Sequence, residues 1–251
     1  MAVNYNTSIV TDGLVYLLDP ANSKCWDGAS TTISSLVNNA NNTISNSPYG
    51  NSNSYSVRAL TLNNATLTTA TSTATVALTT PDLNVLALSN NFTIMFAAKK
   101  NYYGLGGNNN GNSQFMRCVS DGYSTGWRLA ETSQGTPGTA FTSKHAWTLG
   151  LSMQFSSYTI ADTVNTNRMC LVAFSITSST ITKFLNGIFN TSTNALAYVS
   201  GPSSPLPGLS ITNAGQGSFN GEVGFLMIYN RALSNDEITQ NFNAYRGRYG
   251  V

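Results

Sequence analysis

The side chains that carry most enzymatic chemistry are few and scattered in this chain. There is one histidine, His145, and there are ten acidic residues. No serine or cysteine lies in a Gly-x-Ser-x-Gly turn, which exposes the nucleophile of many hydrolases. The adjacent carboxylates Asp236 and Glu237 fall in a helix-capping sequence. We therefore expect no enzymatic activity; the alternatives are a catalytic His145 or two distant carboxylates that meet across a sheet and hydrolyse a glycoside.

Metal ligands are also sparse in the sequence. Calcium takes about six to eight oxygen ligands, usually with several carboxylates, and the sequence contains no Asp-x-Asp-x-Asp run. We expect the isolated aspartates to cap turns instead. These residues are Asp12, Asp19, Asp27, Asp121 and Asp162. The sequence therefore predicts no bound metal and no other cofactor.

The three cysteines, Cys25, Cys118 and Cys170, lie far apart. An odd number cannot form a complete set of disulfides, and no Cys-x-x-Cys pair offers zinc ligands. Cys118 and Cys170 lie in apolar runs, which predicts buried thiols that pack as small hydrophobic side chains. This pattern is typical of synthesis in a reducing compartment.

Carbohydrate binding is the chemistry with the most candidate residues. An aromatic ring can stack on the C–H face of a sugar while neighbouring amides bond its hydroxyls. The candidates are Tyr102, Tyr103 and Asn109 in and before a Gly/Asn-rich loop, and Tyr123 and Trp127 around the next turn. The alternative interpretation of Trp127 is a core residue, because it lies in a predicted strand.

The elements that would hold these residues are β-strands. Apolar and Thr-rich segments of strand length alternate with Gly, Asn and Pro, which predicts about a dozen strands in two packed antiparallel sheets. The clearest hairpin joins residues 180–185 to residues 188–191 through Asn186-Gly187, which favours a type I′ turn. The candidate sugar-binding residues lie mainly in loops between such strands.

The end of the chain predicts one strand followed by one helix. The long apolar run in residues 218–229 is typical of a buried strand. Ser234 and Glu237 then have the spacing of a capping box. Three apolar residues share one helical face: Ile238, Phe242 and Tyr245. We expect this helix to span residues 234–247 and to end at Gly247 in the left-handed conformation.

These two elements resemble the closing motif of concanavalin A-like, laminin-G-like jelly-roll domains of the kind found in bacteriophage, including cyanophage, structural proteins. There a strand of the type F-x-G-x-(V/I)-x-x-x-x-(I/V)-Y-N-R-A-L-S leads into E-I-x-Q-N-F-N-A-x-R-G-R-Y-G. The matching residues are Phe219, Gly221, Val223, Ile228 to Ser234, Glu237, Ile238, Gln240 to Ala244 and Arg246 to Gly250. Residues 13–22 likewise resemble the opening strand, G-L-V-x-x-L-D-x-A-N.

The resemblance implies an all-β fold, a two-sheet antiparallel jelly-roll sandwich with a short C-terminal helix. We expect residues 1–251 to form a single domain of this type, with residues 1–8 as an N-terminal arm. Because the two motifs bracket the chain, we also expect the opening and closing strands to lie together on one sheet.

The composition limits the kinds of partner. Only 9% of residues are charged, and the net charge is +2. The basic residues are scattered, unlike the clustered basic surface of a nucleic-acid-binding domain. No apolar run is long enough to span a membrane, and residues 1–7 do not resemble a secretory signal. We therefore expect no nucleic-acid or membrane partner, and contacts made by neutral groups.

Together with the resemblance, these features predict a non-enzymatic structural protein of the virion, on the outside of a phage particle. Decoration of the capsid is the preferred interpretation. The partners would be other capsid or tail proteins and further copies of the chain. The alternative is a tail- or fibre-associated carbohydrate-binding module that contacts glycan on the host surface.

Overall fold

The computed structural model describes residues 8–27, 32–37, 91–100, 168–194 and 221–251, together with the short strands that lie between these ranges. Side chains are described for residues 8–27, 32–37, 91–99, 168–189 and 222–251. The strands are β1 (Leu14–Leu18), β2 (Thr32–Ser34), β3 (Asn41–Thr43), β4 (Asn53–Tyr55), β5 (Leu60–Leu62), β6 (Val76–Leu78), β7 (Phe92–Lys100), β8 (Asn112–Val119), β9 (Gly126–Ser133), β10 (Lys144–Leu151), β11 (Val164–Asn165), β12 (Cys170–Ile176), β13 (Thr180–Leu185), β14 (Ile188–Asn194), β15 (Leu209–Ile211) and β16 (Gly221–Tyr229), and the helix is α1 (Asn235–Tyr249).

The strands form two main antiparallel sheets. The eight-stranded sheet has the order β14-β13-β12-β7-β16-β5-β4, and β1 also pairs with β16. The six-stranded sheet has the order β11-β10-β9-β8-β15-β6, and β2 pairs with β3 separately. The predicted fold class, an all-β antiparallel jelly-roll sandwich with one C-terminal helix, is confirmed.

The opening and closing strands are neighbours in the eight-stranded sheet. β1 runs antiparallel to β16, with Leu17 opposite Met227 and Leu18 opposite Leu226. Leu18 and Leu226, which are 226 − 18 = 208 positions apart in the sequence, therefore lie side by side. The expectation that these two strands lie on one sheet is confirmed.

The central strands of this sheet are buried on both faces. On one face, Met95 and Met227 belong to the apolar cluster that includes the buried residues of α1. On the other face, Ile94, Phe174 and Ile228 are at most 1% exposed. A sheet that is apolar on both faces needs a packed layer on each side. Helix α1 provides one layer. In a sandwich fold the second sheet provides the other.

Helix α1 begins with the predicted capping box. The Glu237 N–H donates to Ser234 Oγ over 3.3 Å, and the Ser234 N–H donates to Glu237 Oε2 over 2.9 Å. The three residues predicted for its apolar face are buried: Ile238, Phe242 and Tyr245. The local sequence therefore predicted both the start of the helix and the face that it buries.

The predicted end of the helix at Gly247 is wrong. The helix continues to Tyr249, and Gly250 is the left-handed residue, with φ of 70°. The added turn is anchored by Tyr249, which is 6% exposed and packs against the ring of Phe225 at 6.0 Å between centroids. Burial of this aromatic side chain offsets the conformational cost of a helical glycine.

The predicted Asn186-Gly187 turn is confirmed. Asn186 has φ of 50° and Gly187 has φ of 76°, the pair of positive angles that a type I′ turn requires. The turn also fits closely under the helix, because a Cβ atom on Gly187 would lie 2.5 Å from the ring of Phe242. The hairpin therefore joins the sheet to α1 as well as joining β13 to β14.

Candidate functional site

The residues predicted to bind carbohydrate fall mostly outside the described part of the chain. This is the case for Tyr102, Tyr103, Asn109 and Tyr123. Trp127 lies on β9, at the register position opposite Cys118 on β8 and Leu151 on β10. The side chain of Trp127 lies outside the described part of the chain, so both interpretations of this residue stay open. Its carbohydrate role stays a prediction.

Among the described residues, the candidates for catalysis and metal binding are not grouped together. His145 lies on β10 opposite Ser133 and Val164. Asp121 and Asp162 lie outside the described residues. Within the described residues, no three His, Cys, Asp or Glu side chains are grouped so that they could hold a metal ion. In the same part of the chain, no helix is long and apolar enough to cross a membrane.

Asp19 is a buried carboxylate that takes part in an ion pair as well as capping a turn. Its carboxylate accepts from the Ala21 N–H over 3.3 Å, as a turn cap would. Its two oxygens also accept from Nη1 of Arg248 over 2.7 and 2.8 Å, and its side chain is only 4% exposed. Burial alone would lower the pKa of Arg248, but the hydrogen bonds and charge of Asp19 outweigh it and raise that pKa. Arg248 thus ties the last helical turn to the end of β1.

Arg231 forms a second ionic contact between the ends of the chain. It donates from Nη1 to Glu237 Oε2 over 2.9 Å and from Nη2 to Glu237 Oε1 over 2.5 Å. Its Nε lies 2.9 Å from Asp12 Oδ2. The hydrogen bonds from Arg231 are the main reason that the pKa of Glu237 is about 2, below its ordinary value. Glu237 therefore serves the capping box and this ion pair together.

A buried polar triangle holds the segment before β1. The Val10 N–H donates to Asn241 Oδ1 over 2.8 Å, and Tyr229 Oη donates to the Val10 carbonyl over 2.9 Å. Asn241 Nδ2 donates to Tyr229 Oη over 3.0 Å and closes the triangle. Burial is the main reason that the pKa of Tyr229 is raised to about 12. Each buried polar atom of the triangle has a partner, which avoids the cost of leaving it unpaired.

The described cysteines are buried thiols. Cys170 is 2% exposed, as predicted, and Cys25 is 3% exposed. Burial is the main reason that the pKa of Cys25 is raised to about 11. A thiol that stays protonated is a poor nucleophile, so Cys25 acts as a packing residue. The side chain of Cys118 lies outside the described residues.

The six-stranded sheet brings together two basic residues that are eleven positions apart in the sequence, by the numbers of Arg117 and Arg128. These arginines are directly opposed across β8 and β9. The register continues to Ser210 on β15, opposite Arg117, and to Gly150 on β10, opposite Arg128. The opposition lies in the uniform register that runs from Met116 opposite Leu129 to Val119 opposite Gly126, which no local sequence pattern predicts.

Comparison with known proteins identifies the fold. The family model described as the concanavalin A-like lectin/glucanases superfamily, Laminin_G_3, matches residues 71–239. No curated protein sequence matches the chain. Domain 4 of an extracellular arabinanase from Geobacillus stearothermophilus, solved in complex with arabinotriose, is similar with a TM-score of 0.58 and 17% identity, over 91% of this chain and 97% of that domain.

Two larger proteins contain a similar region. A mutant sialidase of Trypanosoma rangeli that displays trans-sialidase activity has a TM-score of 0.65 at 13% identity, over 97% of this chain and 35% of that one. The binding domain of a botulinum neurotoxin, solved with rat synaptotagmin II, has a TM-score of 0.56 at 10% identity, over 94% of this chain and 52% of that one. The chain spans about a third of the sialidase, and at these identities the likeness concerns the fold alone.

Proposed function

Because the chain belongs to the concanavalin A-like lectin/glucanases superfamily, we propose that it is a non-enzymatic structural protein on the outside of a phage particle, where it decorates the capsid. The observation that supports this role is the pairing of β1 with β16. These strands carry the two motifs that resemble domains of phage structural proteins. They meet in one sheet and are held by the contacts of Arg231, Arg248 and Asn241.

The proposal of a non-enzymatic role rests on the ion pairs that the described carboxylates form. Asp12, Asp19 and Glu237 pair with arginines of the same chain. Carboxylates engaged in this way stabilise the fold, and a pKa near 2 does not suit a general acid or base at neutral pH. The ionic groups of this region therefore hold the ends of the chain together.

The location on the particle is tested by labelling. Antibody raised against the recombinant chain should bind intact particles over the capsid surface, and a density map should show the sandwich repeated with the capsid lattice. Label confined to the tail would contradict capsid decoration and favour the tail or fibre location. Particles of a deletion mutant are the control for antibody specificity.

The kind of contact that attaches the chain is tested by salt. Few residues are charged, so we expect neutral and apolar contacts repeated over many copies to hold it on the particle. Washing particles in rising salt should leave the protein bound, because ionic contacts are the ones that salt screens. Release at moderate salt would mean that a charged interface holds the protein.

The second candidate function is a tail- or fibre-associated carbohydrate-binding module. The observation that favours it is the likeness to almost the whole of an arabinanase domain that was solved with arabinotriose. A glycan array probed with the recombinant chain tests it. Alanine variants of Tyr102, Tyr103, Asn109 and Tyr123 should weaken binding without lowering the melting temperature, and Phe189→Ala is a control for loss of an exposed aromatic ring.

Trp127 needs a separate test, because its two interpretations predict different results. A core tryptophan replaced by alanine should cost about 3–5 kcal/mol of stability. A tryptophan that stacks on sugar should leave the melting temperature unchanged and abolish glycan binding. Melting and binding measured on the same Trp127→Ala protein therefore separate the two roles.

A further inference from the structure

Helix α1 carries four charged side chains, and the fold uses only two of them in ion pairs. Glu237 and Arg248 are each paired with a charged residue elsewhere in the chain. Asp236 and Arg246 are exposed, and neither forms an ion pair in the part of the chain that the structure describes. The helix therefore presents one unpaired charge of each sign to its surroundings.

These two charges lie on the same side of α1, near its opposite ends. They are 246 − 236 = 10 positions apart, which is about 2.8 helical turns and about 15 Å along the axis. Arg246 is therefore within about a quarter-turn of Asp236 around the helix. The positions between them on this side are Thr239, which is exposed, and Asn243, which is half-buried. This side is thus neutral and polar in the middle and oppositely charged at its ends.

Two exposed apolar residues adjoin the Arg246 end of this surface. Ile188 is 71% exposed and Phe189 is 53% exposed. They follow Gly187, where an added Cβ atom would lie 2.5 Å from the ring of Phe242. Cζ of Arg246 lies 6.0 Å from the centre of the same ring. Aromatic residues and arginine are enriched in protein interfaces, so this composition favours a protein partner.

The arrangement of charges on α1 is complementary to itself. In a dimer with two-fold symmetry, each contact between different residues occurs twice. If two α1 helices pack antiparallel, Asp236 of each copy faces the partner's Arg246, and Thr239 faces the partner's Asn243. Both ion pairs are then attractive, and no like charges of this surface are opposed. A second copy of the chain is therefore the occupant that satisfies both unpaired charges at once.

We propose that the chain forms a two-fold symmetric dimer through the outer side of α1, with Ile188 and Phe189 at the edge of the contact. A helix of 15 residues is about 22 Å long, so the contact is at the small end of specific interfaces. We expect a weak dimer, with a Kd of about 1 μM or above. This proposal goes beyond capsid decoration, because it concerns the isolated chain and holds wherever the chain is located.

Sedimentation of the recombinant chain over a series of concentrations tests the proposal. The parent chain should shift from monomer to dimer as its concentration rises. Asp236→Lys and Arg246→Glu should each weaken the dimer by about tenfold or more, because each replaces two attractive contacts by two repulsive ones. Ile188→Ser should also weaken it, because water would no longer be excluded from an apolar side chain.

A mixture of the two charge variants gives the sharpest result. In the mixed dimer, one ion pair is native and the other has its sign reversed on both sides. Both contacts are therefore attractive again, and the mixture should dimerise although each variant alone does so poorly. Only an arrangement in which position 236 faces position 246 of the partner predicts this recovery.

Lys24→Glu is the matched control, since Lys24 is exposed in the turn after β1 and the substitution reverses one charge outside the proposed contact. It should leave the dimer unchanged. Circular dichroism of each variant checks that the helix is retained, so a loss of dimer is not caused by unfolding.

Four results would overturn the proposal. A parent chain that stays monomeric up to about 1 mM would have no such dimer. Dimers unaffected by either charge variant would place the interface elsewhere. Equal weakening by Lys24→Glu would mean that the contact does not depend on the charges of α1. A mixture that stays monomeric while the parent dimerises would exclude the antiparallel arrangement.

Discussion

Each main sheet contains a pair of charged residues at directly opposed positions. The two charges are opposite in one pair and alike in the other. In the eight-stranded sheet, Glu222 lies opposite Lys99, and Lys99 Nζ is 2.6 Å from Glu222 Oε1. In the six-stranded sheet, Arg117 lies opposite Arg128. Opposite charges at such positions stabilise a sheet and like charges destabilise it. The first pair therefore stabilises its sheet, whereas the second gives its sheet no such contribution.

Other polar groups near the helix also stabilise the fold. On the helix side of the eight-stranded sheet, Arg231 and Arg248 contact carboxylates of the same chain, and Asn241 and Tyr229 hold the segment before β1. Polar groups used in this way are not available to a partner. We therefore expect substitutions on the helix side to affect stability first.

The largest effect is expected at Phe242. Its side chain is 9% exposed and its ring fills the space above Gly187. Replacement by alanine should lower stability by about 3–5 kcal/mol, the usual cost for a buried phenylalanine, measured by chemical denaturation. Phe189→Ala is the control, since Phe189 is 53% exposed and should cost about 1 kcal/mol or less. Equal stability of the two variants would mean that α1 contributes little to the fold.

Two glycines test why the helix extends beyond its predicted end. A Cβ on Gly224 would lie 2.6 Å from Oη of Tyr249, so Gly224→Ala should cost about 1–3 kcal/mol through overpacking. A Cβ on Gly247 would meet no atom within 4 Å, so Gly247→Ala should add about 0.5–1 kcal/mol of helix stability. If Gly224→Ala left stability unchanged, contact between Tyr249 and Gly224 would not be the reason for the longer helix.

A smaller, pH-dependent effect is expected from Glu237. Arg231 holds its folded-state pKa at about 2, below its value in the unfolded chain. A depressed carboxyl pKa stabilises the fold above the unfolded-state pKa, about 4.3 for a glutamate, and this stabilisation is lost as the pH falls through that value toward 2. The melting temperature of Glu237→Gln should therefore be lower than that of the parent at pH 7. The two melting temperatures should converge near pH 2. Asp236→Asn, an exposed change in the same turn, is the control.

The smallest effect is expected from chelators and reducing agents. We expect EDTA and dithiothreitol each to leave the melting temperature unchanged, because the sequence predicts neither a calcium cluster nor a disulfide set. A change of several degrees in the melting temperature with EDTA would instead indicate a bound metal ion. The candidate ligands would then be the aspartates outside the described residues, Asp121 and Asp162. A shift with dithiothreitol would indicate that one of the three cysteines is oxidised.

The local features of the fold could be predicted from the sequence. Ser234 and Glu237 determine where α1 begins, because a capping box involves only four consecutive residues. Asn186-Gly187 determines the hairpin, because few other residue pairs adopt two positive φ angles easily. The spacing of Ile238, Phe242 and Tyr245 determines the buried helical face, because periodicity follows from helix geometry. These patterns act over a few residues, so the sequence displays them directly.

The features that connect distant residues were decided by the tertiary structure. The helix ends at Tyr249 because that ring packs near Phe225, which is remote in sequence. Asp19 was expected to cap a turn, and its contact with Arg248 arises only when β1 pairs with β16. The opposition of Arg117 and Arg128 follows from the register of β8 on β9, and a slip of one residue would end it. Register is set by the packing of whole sheets, which no short segment of the sequence specifies.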